Sequence, residues 1–136
     1  MRRPEVLIGQ MIDRLRSGGT VIASVPNIGH WYPRLRTTTG LFDYDQRGIL
    51  DSTHLRFFTR RSFLRLAHRC GLEPLEHRHT GLPFDALGVD TARHLGRVGS
   101  LADRALVRAW PTMFAYQFVY ELAVSPALDV ATDAQR

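Results

Sequence analysis

Hydrophobic positions recur at helical spacing near the start of the chain and at strand spacing further on. Val6, Leu7, Met11, Ile12 and Leu15 fall on one side of a helical wheel, with Asp13, Arg14 and Arg16 on the other. Pro4 suits a first helical position, Glu5 suits the positive end of the helix dipole, and Gly18-Gly19 supplies a left-handed stop. This pattern predicts a helix over residues 4–17. Residues 20–25, TVIASV, are β-branched and apolar on both faces, which predicts a short strand covered on both sides and ended by Pro26-Asn27. From Ile28 to Phe58 no clean period holds. That is long for a plain connection, and long ordered loops tend to carry function.

Thr59 caps a second predicted helix over residues 60–70, whose inner side is Phe63, Leu64, Leu66, Ala67 and Cys70. Arg61, Arg65 and Arg69 line up one turn apart on its outer side, and Gly71 ends it. Residues 72–79, LEPLEHRH, contain proline and charge, as an edge strand does. Pro83 to Trp110 is helical again, predicted as two helices broken near Gly99-Ser100. Residues 112–124 give the strongest strand signal, with Phe114, Tyr116, Phe118, Tyr120, Leu122 and Val124 on one face. The expected architecture is α/β. It is a three-stranded mixed sheet with 112–124 between the other two strands, a right-handed crossover joining those two, and flanking helices. Strand 20–25 is too apolar for an open edge, so the sheet reads as half of a larger one.

Composition narrows the class without naming a function. The chain has 136 residues, 44% hydrophobic and 23% charged, enough for one globular domain. A single cysteine, Cys70, excludes an internal disulfide. No apolar run approaches the roughly 20 residues that span a bilayer, and Glu5 and Asp13 interrupt the start where a signal peptide is unbroken. A soluble, cytoplasmic domain is the expectation, with no membrane partner. The net charge is +5, and all 18 basic residues are arginine. They are dispersed among acids rather than clustered with aromatics, which disfavours a nucleic-acid-binding module.

Three stretches carry a resemblance: LRSGGTVIASVPN, GLFDYDQRGILDSTHLRFFTRRSFLRLAHRCGL and PTMFAYQFVYELAV. Together they resemble the C-terminal half of a class I S-adenosylmethionine-dependent methyltransferase, in the branch that modifies small molecules. The run DSTHLRFFT, residues 51–59, is its most specific part. The resemblance implies a partial Rossmann-like methyltransferase sheet in which 20–25, 72–79 and 112–124 are the fifth, sixth and inserted antiparallel seventh strands. Residues 1–124 would be the C-terminal portion of that domain and 125–136 a disordered tail. It also implies S-adenosylmethionine as cofactor and a small-molecule acceptor. Such enzymes hold the cofactor on a glycine-rich turn after the first strand. This sequence has no G-x-G, and Gly18-Gly19 precedes a strand instead of following one. The cofactor-binding half is therefore expected to lie outside this chain, on a longer parent or on a partner.

Methyl transfer depends largely on alignment, with a base to take the proton of a hydroxyl acceptor. His54, in the most family-like loop and near Asp51, is the candidate catalytic base; its alternative is a structural hydrogen bonder. His30, Trp31 and Tyr32 follow the end of a strand, where open α/β sheets bind ligands, and are candidate walls of an acceptor pocket or simple packing. Arg56 suits a substrate phosphate or carboxylate, or pins its own loop. Asn27 contacts ligand or shapes the turn. His77 and His79 share a strand face, but no acid or cysteine completes a metal set, and no G-x-S-x-G supports serine hydrolysis. A different class remains open, a non-catalytic accessory or scaffold subunit that pairs strand 20–25 with a partner chain or with itself.

Overall fold

A computed structural model describes residues 3–45, 48–83 and 94–125. Helix α1 spans Pro4–Ile12, strand β1 Thr20–Pro26, helix α2 Trp31–Thr38 and helix α3 Arg60–Arg69. Strand β2 spans Leu72–Thr80, helix α4 His94–Ala109, helix α5 Pro111–Phe114 and strand β3 Gln117–Val124. The fold is α/β, with an open three-stranded sheet in the order β1-β3-β2. β3 runs antiparallel to both neighbours. The outer strands are thus parallel to each other but never pair, and every ladder of this expected mixed sheet is antiparallel.

The sheet has one dry face. Phe118, Tyr120 and Leu122 on β3 are each 1% exposed, and Val21 and Val25 on β1 stand opposite Leu122 and Phe118. Phe63 and Ala67 of α3, Val107 of α4 and Leu72 complete this core, and Ile8, Ile12 and Leu15 pack against it. The other face presents Ser24, Glu76 and Arg78, with Thr20 donating to Glu121 at 3.0 Å and Ser24 to Gln117 at 3.3 Å. Ile22 is 73% exposed there. The expected two-sided cover of β1 is therefore not seen, because only Ile22 among Thr20, Ile22 and Ser24 is strongly apolar. β2 is an edge strand, as its proline and charges predict, and it slips register between Pro74 and Glu76.

Several boundaries differ from expectation for local reasons. α1 stops at Ile12, where Asp13 and Arg14 fold back onto Gly9 and Met11, and the chain reaches Gly18 (φ +75°) through turns. The stretch from Ile28 to Phe58, expected as loop, contains α2. Its signals are Pro33 in the first turn and Gly40 in the left-handed region (φ +78°) just past the end. α4 runs through Gly99-Ser100 unbroken, with the Ser100 hydroxyl returned to the Arg97 carbonyl at 2.9 Å. The strand expected over 112–124 begins at Gln117, since Pro111 opens the short helix α5. α3 matches its prediction closely: Thr59 and Ser62 close a reciprocal capping box, and Gly71 (φ +74°) follows the end. Ser125 donates to the Gly71 carbonyl at 2.8 Å; the rest of the expected tail, 126–136, and the start of the expected helical region, 84–93, lie outside the described residues.

The core makes a paired prediction. Phe118→Ala should lower unfolding free energy by about 3–5 kcal/mol in urea denaturation, because a fully buried aromatic leaves a cavity. Tyr120→Phe should be neutral or stabilising, since among the described residues its buried hydroxyl has no hydrogen-bond partner.

Candidate functional site

The C-terminal end of β1 is where the sequence-predicted residues collect. Asn27 is 1% exposed and bonded in three directions. Its Nδ2 donates to the Ala115 carbonyl at 2.8 Å and the Thr112 carbonyl at 3.2 Å, while its Oδ1 accepts from the Gly29 amide at 2.9 Å. Its backbone amide donates to the Tyr116 carbonyl, and the next amide, of Ile28, donates to the Phe58 carbonyl, both at 3.0 Å. Asn27 therefore fastens the strand end to α5 and the link that leads from it into β3, and Ile28 ties the same turn to the segment before α3. Both Nδ2 hydrogens are committed inside the protein, so this residue positions the loop instead of offering donors to a ligand.

His30 turns the chain into α2. It is 1% exposed, and its Nδ1 accepts from the Tyr32 amide at 3.2 Å as the helix cap. With Nδ1 accepting, the neutral ring carries its proton on Nε2. That Nε2 is buried and, among the described residues, meets no hydrogen-bond acceptor. Burial pushes the imidazole down from the ordinary 6.5 to about 4, with the Phe114 backbone acting in the opposite sense. At neutral pH His30 is uncharged, a buried donor packed against Trp31 (ring centroids 5.5 Å apart) and edge-on to Tyr116 (6.1 Å).

Tyr32 leads into a charged knot that the sequence reading missed. Its hydroxyl donates to Asp45 Oδ2 at 3.2 Å, and Arg36 donates to Asp45 Oδ1 at 2.5 Å and to the Tyr32 oxygen at 2.9 Å. Arg36 also reaches the Asp43 carbonyl at 3.1 Å and lies 5.5 Å from the Tyr32 ring centre. Tyr116 stands beside this knot; burial, with Asp45 and Tyr32 adding, pushes its phenol up. Gly48 fits against it by necessity: it holds φ +104°, and a Cβ there would lie 2.8 Å from the Tyr116 hydroxyl oxygen. The helical spacing of Tyr32 and Arg36 and the acids flanking Tyr44 were the available signals, but they speak only once residues 31–38 are known to be helical.

The loop of His54 joins this end through Asp45, which bridges to Asp51 and donates its amide to the Leu50 carbonyl at 2.9 Å. Ile49 and Leu50, 2% and 1% exposed, anchor the loop. Asp51 does not orient the His54 ring as expected. Its Oδ1 accepts from the Thr53 amide at 2.7 Å, a local turn that holds the carboxyl below its usual range. His54 is half-buried, and its Nδ1, itself buried, has no hydrogen-bond partner among the described residues. Arg56 leaves the group. Its guanidinium turns towards α1 and meets Glu5 at 3.4 Å.

Around these polar groups the surface is apolar. Trp31 and Tyr32 are partly exposed, and Leu35, Leu41, Phe42, Tyr44 and Leu55 are each more than half exposed. Tyr44 stacks on Phe57 with centroids 6.3 Å apart. The result is an aromatic rim over a neutral buried imidazole and a neutralised Arg–Asp–Tyr knot, which suits an uncharged or weakly polar small molecule. Among the described residues no three His, Cys, Asp or Glu side chains gather as a metal set, and no helix is long and apolar enough to cross a membrane. The sequence matches no protein-family model and no curated protein.

Two outcomes test this geometry. Asn27→Ala should cost about 2–3 kcal/mol in urea unfolding, because it strands two carbonyls and an amide in a buried turn. For His30, the folded value lies below the unfolded one, so the unfolded chain takes up the proton first. The stabilisation from keeping the ring neutral is complete above pH 6.5 and is lost as pH falls towards 4. That loss is on the order of 3 kcal/mol. Unfolding midpoints at pH 7 and pH 4.5 should therefore differ more for the wild type than for His30→Gln.

Proposed function

We propose that this chain is the acceptor side of an S-adenosylmethionine-dependent methyltransferase acting on a small molecule. The observation that carries the proposal is the sheet. Two parallel strands flank a central antiparallel one, and among the described residues β1 has β3 on one side only. A further parallel strand beside β1 would extend the sheet in the manner the resemblance implies. The residues at the C-terminal end of β1 would then face the crevice where such sheets bind ligands.

Among the described residues Gly18-Gly19 does not make a cradle for the cofactor. Gly18-Gly19 leads into β1, and a Cβ on Gly19 would meet the Arg16 carbonyl at 2.9 Å, so this pair closes a turn rather than receiving a ligand. The cofactor, bound beyond the β1 edge, would supply an electrophilic methyl group. This chain's share is to seat the acceptor between Trp31, Tyr32 and the aromatic rim, to exclude water, and to accept the acceptor's proton at His54. His54 is given that role by the resemblance; its Nδ1 is buried and makes no hydrogen bond among the described residues, so the proton would be taken at Nε2. His30, buried with its Nδ1 used as a cap and its ring held neutral, fixes the turn into α2 on which Trp31 and Tyr32 stand.

A second reading rests on a different surface. Ile22 is 73% exposed beside a groove of about 320 Å³ that Leu7, Met11 and Arg14 also line, along the side of β1 that carries no ladder among the described residues. An uncharged strand edge flanked largely by apolar side chains suits the addition of another strand, as in a non-catalytic accessory subunit.

Titrating the 136-residue chain with S-adenosylmethionine should give no stoichiometric heat. Fused behind the cofactor-binding half of a small-molecule methyltransferase, it should transfer labelled methyl to low-molecular-weight acceptors. His54→Ala in that fusion should slow transfer by about 100-fold with cofactor affinity unchanged. Tight binding by the chain alone, or transfer indifferent to His54, overturns the proposal; a stable complex with a strand-donating partner and no transfer supports the accessory reading.

A further inference from the structure

Arg56, displaced from the β1 end, enters a second cavity of about 650 Å³ between α1 and α3. Its walls follow from the register of α3. Ser62, Arg65 and Arg69 lie at helical spacing beside the buried row of Phe63, Leu66 and Ala67, so they border the cleft while that row faces the core. Phe57, Phe58 and Leu66 make an apolar floor. Three guanidiniums thus converge over apolar side chains.

The balance of charge is uneven. Glu5 is the single carboxylate lining the cavity, and it meets Arg56 at 3.4 Å. His68 is held by Glu73 at 3.2 Å, and the Ser62 hydroxyl is used in the helix cap. Among the described residues no carboxylate pairs with Arg65 or Arg69. Like charges gathered over a low-dielectric floor repel one another and focus positive potential into the cleft.

We infer that this cleft binds an organic phosphomonoester, its phosphate between Arg56, Arg65 and Arg69 and its apolar body on Phe57, Phe58 and Leu66. Three guanidiniums offset by Glu5 leave about two positive charges, which match the −1.5 to −2 of a phosphomonoester at neutral pH better than the −1 of a carboxylate. Guanidinium forks suit phosphate oxygens in pairs. The cavity falls within the roughly 300–1,000 Å³ usual for small-molecule sites, which favours a compact ligand over a polymer or a membrane surface. The cleft shares Phe57 with the aromatic rim, where Tyr44 stacks on it, but among the described residues none of its three guanidiniums bonds to His30, Tyr32 or Asp45.

Calorimetry on the full chain at constant ionic strength tests it, with phenyl phosphate and inorganic phosphate as probes. Phenyl phosphate should bind once per chain and about tenfold more tightly than inorganic phosphate, since its ring covers the apolar floor. Arg65→Gln and Arg69→Gln should each weaken it about tenfold. Glu5→Gln should tighten it by removing the competitor for Arg56, a gain that misfolding does not mimic. Equal affinity for the two probes, or affinities unchanged in all three variants, overturns the inference. So does stronger retention on phosphatidic acid vesicles than binding of phenyl phosphate, which would assign the charge to a membrane surface.

Discussion

Everything in this fold leans on β3. The outer strands β1 and β2 do not touch, so each is held in the sheet only by its ladder to the central strand. The same strand supplies Phe118, Tyr120 and Leu122 to the dry face. Backbone pairing and apolar burial therefore depend on one eight-residue segment. Its position in the chain matters too. β3 comes last of the described elements, so neither outer strand has its ladder partner until the rest of the fold has been laid down.

The arginines sort into two kinds once their neighbours are known. Arg36 is satisfied, with two acids and a tyrosine around it, and Asp45 and Tyr32 hold its guanidinium firmly charged. It is a clamp that folds the segment after α2 back onto that helix. Arg65 and Arg69 have no such company, and Arg56 shares one half-exposed carboxylate. Exposed ion pairs of that sort contribute little to stability. The first group is internal structure; the second group is charge facing outwards over an apolar floor. Composition alone, 18 arginines and no lysine, gave no hint of this division.

Much of the fold was legible because period and punctuation agreed. For α3 the Thr59 cap, the apolar row and Gly71 all point to one helix, and the strand order follows from the relative apolarity of the three strands. The residues read wrongly are those where one signal spoke alone. Alternation from Phe114 onwards looked like strand, but Pro111 sets up a helical turn that delays it. The absence of a period around Trp31 looked like loop, because an eight-residue helix with a polar, arginine-rich face has little apolar row to show. The site shared that fate. His30, Trp31 and Tyr32 were found from their place after a strand, whereas Arg36, Asp45 and Tyr116 needed α2 and the β3 register to bring them together. Arg56 was read from the chemistry of its side chain alone, as a partner for a substrate anion or for its own loop, and the structure turns it instead to Glu5 of α1.

The candidate site owes nothing to whatever pairs with β1. Every hydrogen bond that sets Asn27 runs to the Thr112–Tyr116 segment or to its own turn, and His30 is fixed by α2. The His54 loop is moored through Asp45 and through buried Ile49 and Leu50. None of these anchors uses the outer edge of β1. An added strand would thus bring a wall and its own chemistry to a site already in place, instead of assembling one. That independence separates the two sides of a single strand: the inner ladder of β1 fixes the geometry of the site, while its outer edge carries no ladder among the described residues.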